Sequence, residues 1–285
     1  MKKDCQIQVT PGDDNLRIPE VGIWAKDKYD LVQTYCDMFT ASMKPPKWQC
    51  LVYIDLFAGA GLARIRETSE IVSTSALRAL DIPYKFNRYI FCDIDSDNIE
   101  ALRKRVSISC PNIDAHFICN DSNRAISEIS ACIPLANSSF HVLAFCFVDP
   151  YKMDNLAFST IEKLSTRFMD FLILVPTDMD ANRNVASYTS PTNETVAHFL
   201  GRPDWRERWN ACKQKSFGLF VLEEFSAHMH ELDYKPQANN EAVLIRNYQK
   251  NAPLYRLAFY SRHDLGKKFW LNAKKHTNPQ TNLFE

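Results

Sequence analysis

The chain has 285 residues, 46% of them apolar, with 34 basic and 34 acidic side chains and a formal charge of zero. That composition builds a substantial globular interior. No stretch reaches the roughly 20 consecutive apolar residues that cross a bilayer, so a membrane is not an expected partner. Zero net charge excludes a whole-molecule attraction to polyanions, and any nucleic-acid contact must use a local patch.

The first residues run through the polar Pro11-Gly12-Asp13-Asp14-Asn15 without the apolar core of a secretory signal, which predicts a cytoplasmic protein. The nine cysteines are dispersed and never spaced as C-x-x-C. They predict reduced thiols, with neither disulfides nor a metal site. Over 24–43, apolar Trp24, Tyr29, Leu31, Val32, Tyr35, Met38 and Phe39 recur at nearly helical spacing. This predicts an amphipathic capping helix, ended by Lys44-Pro45-Pro46-Lys47. Residues 1–47 are therefore expected to form a leader and capping helix, and 48–285 the main domain.

From residue 48, strand-like runs at 51–57, 89–92, 115–119, 142–148 and 171–175 alternate with helical stretches at 73–80, 98–106, 123–133 and 157–168. Alternation of this kind predicts an α/β fold, a doubly wound and mostly parallel sheet with helices on both faces. Two further strand-like runs, 242–246 and 254–261, read as a C-terminal antiparallel hairpin. The segment 178–215 fits the alternation least and is expected to be a cap or substrate-facing insertion. Its Trp205 and Trp209 are four residues apart, a spacing that favours buried packing over a base-stacking platform.

The first strand ends in Asp55-Leu56-Phe57-Ala58-Gly59-Ala60-Gly61. Glycines at this spacing permit a sharp turn and leave no Cβ between backbone and ligand. The third glycine of a dinucleotide fingerprint is absent. The pattern D-x-F-x-G-x-G resembles motif I of class I S-adenosylmethionine (SAM)-dependent methyltransferases, which assigns Asp55, Phe57, Gly59 and Gly61 to a SAM site. An acid suits that cationic ligand and would repel a diphosphate.

The second strand ends in Asp93, placed to accept from ribose hydroxyls; nearby Asp95 or Ser96 suits a helix cap. The stretch between Gly61 and Asp93 exceeds a minimal unit, which implies an inserted segment around 67–83. The third strand is followed by Asp121, which can serve the adenine amine or cap a helix with Ser122. The fourth ends in Asp149-Pro150-Tyr151, which resembles motif IV of amino-methyltransferases, D/N-P-P-Y/F, with one proline missing. In that motif the acid and a backbone carbonyl hold the target amine while the aromatic stacks on its base. After the fifth strand, Asp178, Asn182 and Arg183 suit a site wall or a solvated loop, and Arg183 is the weakest of the substrate candidates. Near the end, Arg262, His263, Lys267, Lys268, Lys274, Lys275 and His276 form a basic segment opposed only by Asp264. It reads as a nucleic-acid patch or a solvated helix face.

As an ordered series, YIDLFAGAG, YIFCDID, CNDSN, FVDPY, FLILVPTDMDANRN and LYRLAFYSRHDLGKKFW resemble the three-Cys-motif partner (TcmP) family, from about Trp24 to Trp270. Lys28 and Leu31 fit as well. Ala60 replaces an expected proline, and Thr74-Ser75-Ala76-Leu77 a Gly-Ser-Pro-Leu-like run. The resemblance implies a SAM-methyltransferase-like fold and a separate partner protein with a three-cysteine motif. The expected function is SAM-dependent methyl transfer to an amine or similar nucleophile, with nucleic acid as the favoured carrier. A methyltransferase-fold scaffold that transfers nothing is the competing expectation.

Overall fold

The computed structural model describes residues 14–43, 45–213 and 216–277, with side chains as far as residue 275. Two compact units result: Met1–Phe147 with Lys268–Glu285, and Val148–Lys267. Lys44, the polar leader before residue 14 and the side chain of His276 lie outside the described residues.

The first unit contains β1 (Glu20–Val21), α1 (Ala25–Ser42), β2 (Cys50–Asp55), β3 (Leu62–Ile65), β4 (Ile71–Ser73) and α2 (Ser75–Leu80). There follow β5 (Arg88–Asp93), α3 (Ser96–Ser109), β6 (Ala115–Cys119), α4 (Ile126–Cys132) and β7 (Val142–Val148). Strand β2 pairs in parallel with β5 and β7, and β5 in parallel with β6. Ile54 sits opposite Ile90 on one side and Cys146 on the other. Every residue of β2 and β7 is buried, as expected of central parallel strands covered on both faces.

The long span between Gly61 and Asp93 is accounted for by β3, β4 and α2. Strands β3 and β4 are antiparallel, and β1 joins β3 in parallel to make a separate small sheet. Neither strand was legible as such, because each is short and shares its face with only a few neighbours. Helix α1 buries Tyr29, Leu31, Val32, Tyr35 and Phe39, largely the stripe that its spacing predicts, while Met38 stays partly exposed. Its rings reach the sheet, with Tyr35 4.7 Å and Phe39 6.1 Å from Phe145. Such pairs add about 0.5–1.5 kcal/mol each beyond burial.

The second unit holds α5 (Phe158–Leu164), β8 (Met169–Val175), α6 (Val185–Tyr188), α7 (Thr195–Leu200), α8 (Trp205–Ala211) and α9 (Phe217–Glu231). It ends with β9 (Val243–Asn247), β10 (Ala252–Tyr260) and the start of α10 (Asp264–Thr277). Strand β10 is antiparallel to both β8 and β9, the hairpin that the sequence leads one to expect. The sheet as a whole has seven strands in the order β6-β5-β2-β7-β8-β10-β9. This is the Rossmann-like order with an antiparallel C-terminal pair, so the expected fold class holds.

Trp205 is fully buried and packs 5.8 Å from Phe217, while Trp209 meets Phe217 and Phe220 at 5.1 Å. Both tryptophans therefore serve packing. Helix α9 was not expected from the sequence, although it buries a stripe of Val221, Leu222, Phe225 and Met229 and presents Glu223, Glu224, His230 and Glu231 on its polar side.

Two expectations need correction. Cys110 is disulfide-bonded, against the expectation of wholly reduced thiols, although Cys36, Cys50, Cys92, Cys119, Cys132, Cys146 and Cys212 are free. Spacing alone cannot show which distant cysteines meet. The basic segment is also less available than its composition suggests. Arg262 donates to the carbonyls of Leu232, Ser165 and Arg167 and lies over the Tyr234 ring. Lys267 pairs with Glu241 at 2.8 Å.

Gly218 lies so close to Thr177 that an added Cβ would stand 2.1 Å from the Thr177 carbonyl oxygen. Gly218→Ala should therefore lower unfolding free energy by about 1–3 kcal/mol, since a backbone oxygen cannot step aside as a side chain can. Urea titration of both proteins checks this; equal midpoints would contradict the close approach.

Candidate functional site

In the first unit the glycine loop leaves β2 at Asp55, which has no exposed surface. Its carboxylate accepts from Tyr53 Oη at 3.1 Å, Ser75 Oγ at 2.7 Å and the Phe57 amide at 3.2 Å. Asp55 thus supports the loop from beneath and fixes the backbone at partly exposed Phe57. Ser75, at the start of α2, has this role only because the fold returns it to β2.

Gly59 and Gly61 both have positive φ, +62° and +85°. Their surroundings differ. A Cβ on Gly61 would meet Leu102 at 2.9 Å and Leu77 at 3.0 Å, so this glycine serves close packing. Among the described residues, a Cβ on Gly59 would meet nothing within 4 Å. Between them, the Ala60 carbonyl accepts from Arg105 Nη1 at 2.6 Å. The same guanidinium holds Asp14 through two bonds of 2.8 and 2.7 Å and reaches the Arg17 carbonyl. Sequence reasoning missed Arg105, because its loop and N-terminal partners lie 45 and 91 residues away.

Asp93, at the end of β5, joins this loop directly. Its Oδ2 accepts from the Gly59 amide at 2.8 Å, and its Oδ1 accepts from the Asp95 amide at 2.9 Å and Asn98 Nδ2 at 3.3 Å. Carboxylate oxygens accept about two bonds each, which leaves acceptor capacity on Oδ2 beside Gly59. Asp95 caps α3 through the amides of Asp97 and Asn98. Next to Asp93, Ile94 is 71% exposed, an apolar side chain at the mouth of the loop.

Asp121 follows β6 and accepts from the Asn123 and Arg124 amides at 3.0 and 3.2 Å through Oδ1. It therefore stabilises a turn. Beside it, Ser122 is 4% exposed and its hydroxyl has no hydrogen-bond partner among the described residues; the same is true of Thr74 Oγ1 and Asn98 Oδ1. Unpartnered buried polar atoms also occur away from this loop, as at Trp205 Nε1, so among the described residues Ser122 is notable only for standing next to Asp121. Burial pushes the Cys92 thiol up to about 12.

In the second unit, Asp149 and Pro150 follow β7 and lead to Tyr151, which is 72% exposed. The turn is held from within its own unit: Asp180 Oδ2 accepts from the Met153 amide at 2.9 Å. Asp180 Oδ1 accepts from Tyr188 Oη at 2.7 Å and Asn184 Nδ2 at 2.8 Å. Asp180 lies in a single π turn, Thr177–Ala181, immediately beyond β8, the kind of irregularity often found at functional sites. Asp178 accepts from Thr177 and Asn182, and Asn182 Oδ1 accepts from the Gly218 amide at 2.7 Å. Asp178 and Asn182 are thus structural members of a network, whereas Arg183 is exposed.

The fold has known counterparts. Protein LPL1258 from Legionella pneumophila str. Philadelphia 1 is similar over 90% of this chain and 92% of its own, with a TM-score of 0.51 and 10% identity. Trm1 from Pyrococcus horikoshii, in complex with SAM, aligns over 90% of this chain and 62% of its own, with a TM-score of 0.44 and 13% identity. An O-methyltransferase from Bacillus cereus in complex with SAH aligns over 87% and 84%, with a TM-score of 0.44 and 10% identity. At such identity the likeness to the Legionella protein is one of fold. No protein-family model and no curated protein sequence matches the chain.

The two glycines should respond differently to alanine. Gly59→Ala should cost about 1–2 kcal/mol for its left-handed backbone alone, whereas Gly61→Ala should cost more because its Cβ also strikes Leu102 and Leu77. Thermal unfolding of the pair checks the order.

A pH effect follows from Asp14, whose pKa is lowered by its hydrogen bonds to Arg105. A folded-state pKa below the unfolded one adds stability above the unfolded value, about 4, that fades as pH falls through the folded value. The stability gap between the natural protein and Asp14→Asn should therefore be full near neutrality and close below about pH 4 in urea titrations. A gap that persists at acid pH would contradict this pairing.

Proposed function

We propose that the first unit binds SAM and that the protein transfers its methyl group to an amine or similar nucleophile. The observation that carries this reading is the bond from the Gly59 amide to Asp93 Oδ2, at a glycine whose Cβ would meet nothing within 4 Å among the described residues. It couples a Cβ-free loop to a carboxylate with acceptor capacity left, a combination suited to a ribose hydroxyl against exposed backbone. Exposed Ile94 offers an apolar surface for a flat base, and the orphan hydroxyl of Ser122 offers a polar contact next to Asp121. Asp55 fits the reading as the support that shapes the loop for the methionine end, together with Phe57, Gly59 and Gly61.

When bound, SAM supplies a sulfonium-activated methyl group. Asp149 is proposed to accept a hydrogen bond from the acceptor nitrogen and Tyr151 to stack on the ring that carries it, with Pro150 stiffening the turn between them. Their contribution is alignment, which suffices for an in-line displacement at carbon. The ordered motifs that resemble the TcmP family support a further element, a separate three-cysteine-motif protein as partner.

Calorimetric titration tests the cofactor assignment. SAM and SAH should both bind the folded protein, and Asp93→Ala should weaken them by about tenfold or more through loss of a charge-assisted bond. Undetectable binding to the natural protein would defeat the proposal.

A further inference from the structure

A second set of groups, wholly within the second unit, has no role in cofactor binding. Arg256 lies on β10 opposite Val175, the last residue of β8, beside the π turn. Its side chain is 19% exposed. Only Nη1 has hydrogen-bond partners among the described residues, Asp178 Oδ2 at 3.3 Å and Thr177 Oγ1 at 3.4 Å, both long for a guanidinium. Among the described residues its Nε and Nη2 have no hydrogen-bond partner. Five donors in a fixed fork are thus held in a half-buried place with most of them unused.

Arg246 stands on the same face. In β9, Leu244 and Arg246 are partly exposed and alternate with buried Val243, Ile245 and Asn247. Leu244 is the register partner of Arg256, so the period of two places both arginines on one side of the hairpin. Burial holds Arg256 below the usual arginine pKa, Asp178 partly offsets this, and Arg246 lowers it further. Among the described residues Arg246 donates only to Asn251 Oδ1, at 3.2 Å. The two guanidiniums repel each other, and only Arg256 has a carboxylate partner among the described residues, Asp178.

We propose that Arg256 and Arg246 form an oxyanion subsite that takes a backbone phosphate of a single-stranded nucleic acid. Guanidinium forks match phosphate geometry, and the site lies at the carboxyl end of β8, where open α/β sheets bind ligands. Aromatic groups favour nucleic acid over an acidic peptide. Tyr151 belongs to the turn that Asp180 ties to this same π turn, and Tyr248, two residues beyond Arg246, is 59% exposed. Bases stack on such rings while cations track the phosphates. With a formal charge of zero, a local cationic pair is the means by which this chain holds a polyanion. The subsite rests on the methyl-transfer reading only in making the nucleic acid the methyl acceptor.

The experiment measures fluorescence anisotropy of short labelled single-stranded RNA and DNA with the full chain, over a range of salt, with SAM calorimetry in parallel. Arg256→Gln and Arg246→Gln should each weaken oligonucleotide binding about tenfold and flatten the salt dependence by about one ion. SAM affinity should not change. If Arg256→Gln does not fold, the more exposed Arg246→Gln carries the decision. Unchanged binding in the folded variants, no binding of either oligonucleotide, or equal displacement by polyglutamate would overturn the subsite. Arginine-dependent binding by a protein that takes no SAM would uphold the subsite while removing the methyl-transfer reading.

Discussion

The hydrogen bond between the Gly59 amide and Asp93 is the contact on which the first unit's site depends. It joins the end of β2 to the end of β5, two parallel strands whose register is already set by buried side chains on both faces. The glycine loop could otherwise adopt many conformations, because its freedom comes from residues without a Cβ. Three constraints remove that freedom: Asp55 holds the Phe57 amide from below, Arg105 holds the Ala60 carbonyl, and Asp93 holds Gly59. What remains is a fixed stretch of backbone beside a carboxylate with capacity left, the surface to which the proposed cofactor is assigned.

The second unit uses the same device with different groups. Asp180 is almost wholly buried, and it is tolerable there because three donors satisfy it: an amide, a tyrosine hydroxyl and an asparagine side chain. In return it fixes the turn that carries Tyr151 to the π turn beyond β8. Arg256, at the edge of this network, shows the opposite condition, with more donors than the protein satisfies. A fold that leaves a half-buried guanidinium so poorly matched gains nothing in stability from it. The proposed phosphate contact would use those donors.

Much of this was legible in the chain. Apolar runs that end in Asp55, Asp93 and Asp149 reveal strand ends, because side-chain periodicity and turn residues act locally. The C-terminal hairpin and the stripe of α1 were legible for the same reason, as was the packing role of Trp205 and Trp209. Less was visible in the span between Gly61 and Asp93, where the strands are too short to show a period. Helix α9 was missed although Val221, Leu222, Phe225 and Met229 recur at helical spacing. Cys110 and Arg262 were misjudged because composition cannot say which distant group a side chain meets.

The sequence by itself determined the order of the main parallel strands, the placement of acids at strand ends and the two glycines of the loop after β2. Tertiary structure decided how each carboxylate is used. Asp55 is sealed beneath the loop, Asp121 stabilises a turn, Asp178 and Asp180 are committed to the π-turn network, and Asp93 alone combines the glycine loop with unused acceptor capacity. The reason is that backbone propensity depends on neighbours in the chain, whereas hydrogen-bond allocation depends on neighbours in space. Those spatial partners lie 34 residues away for Asp93 and Gly59, and 27 for Asp180 and Met153.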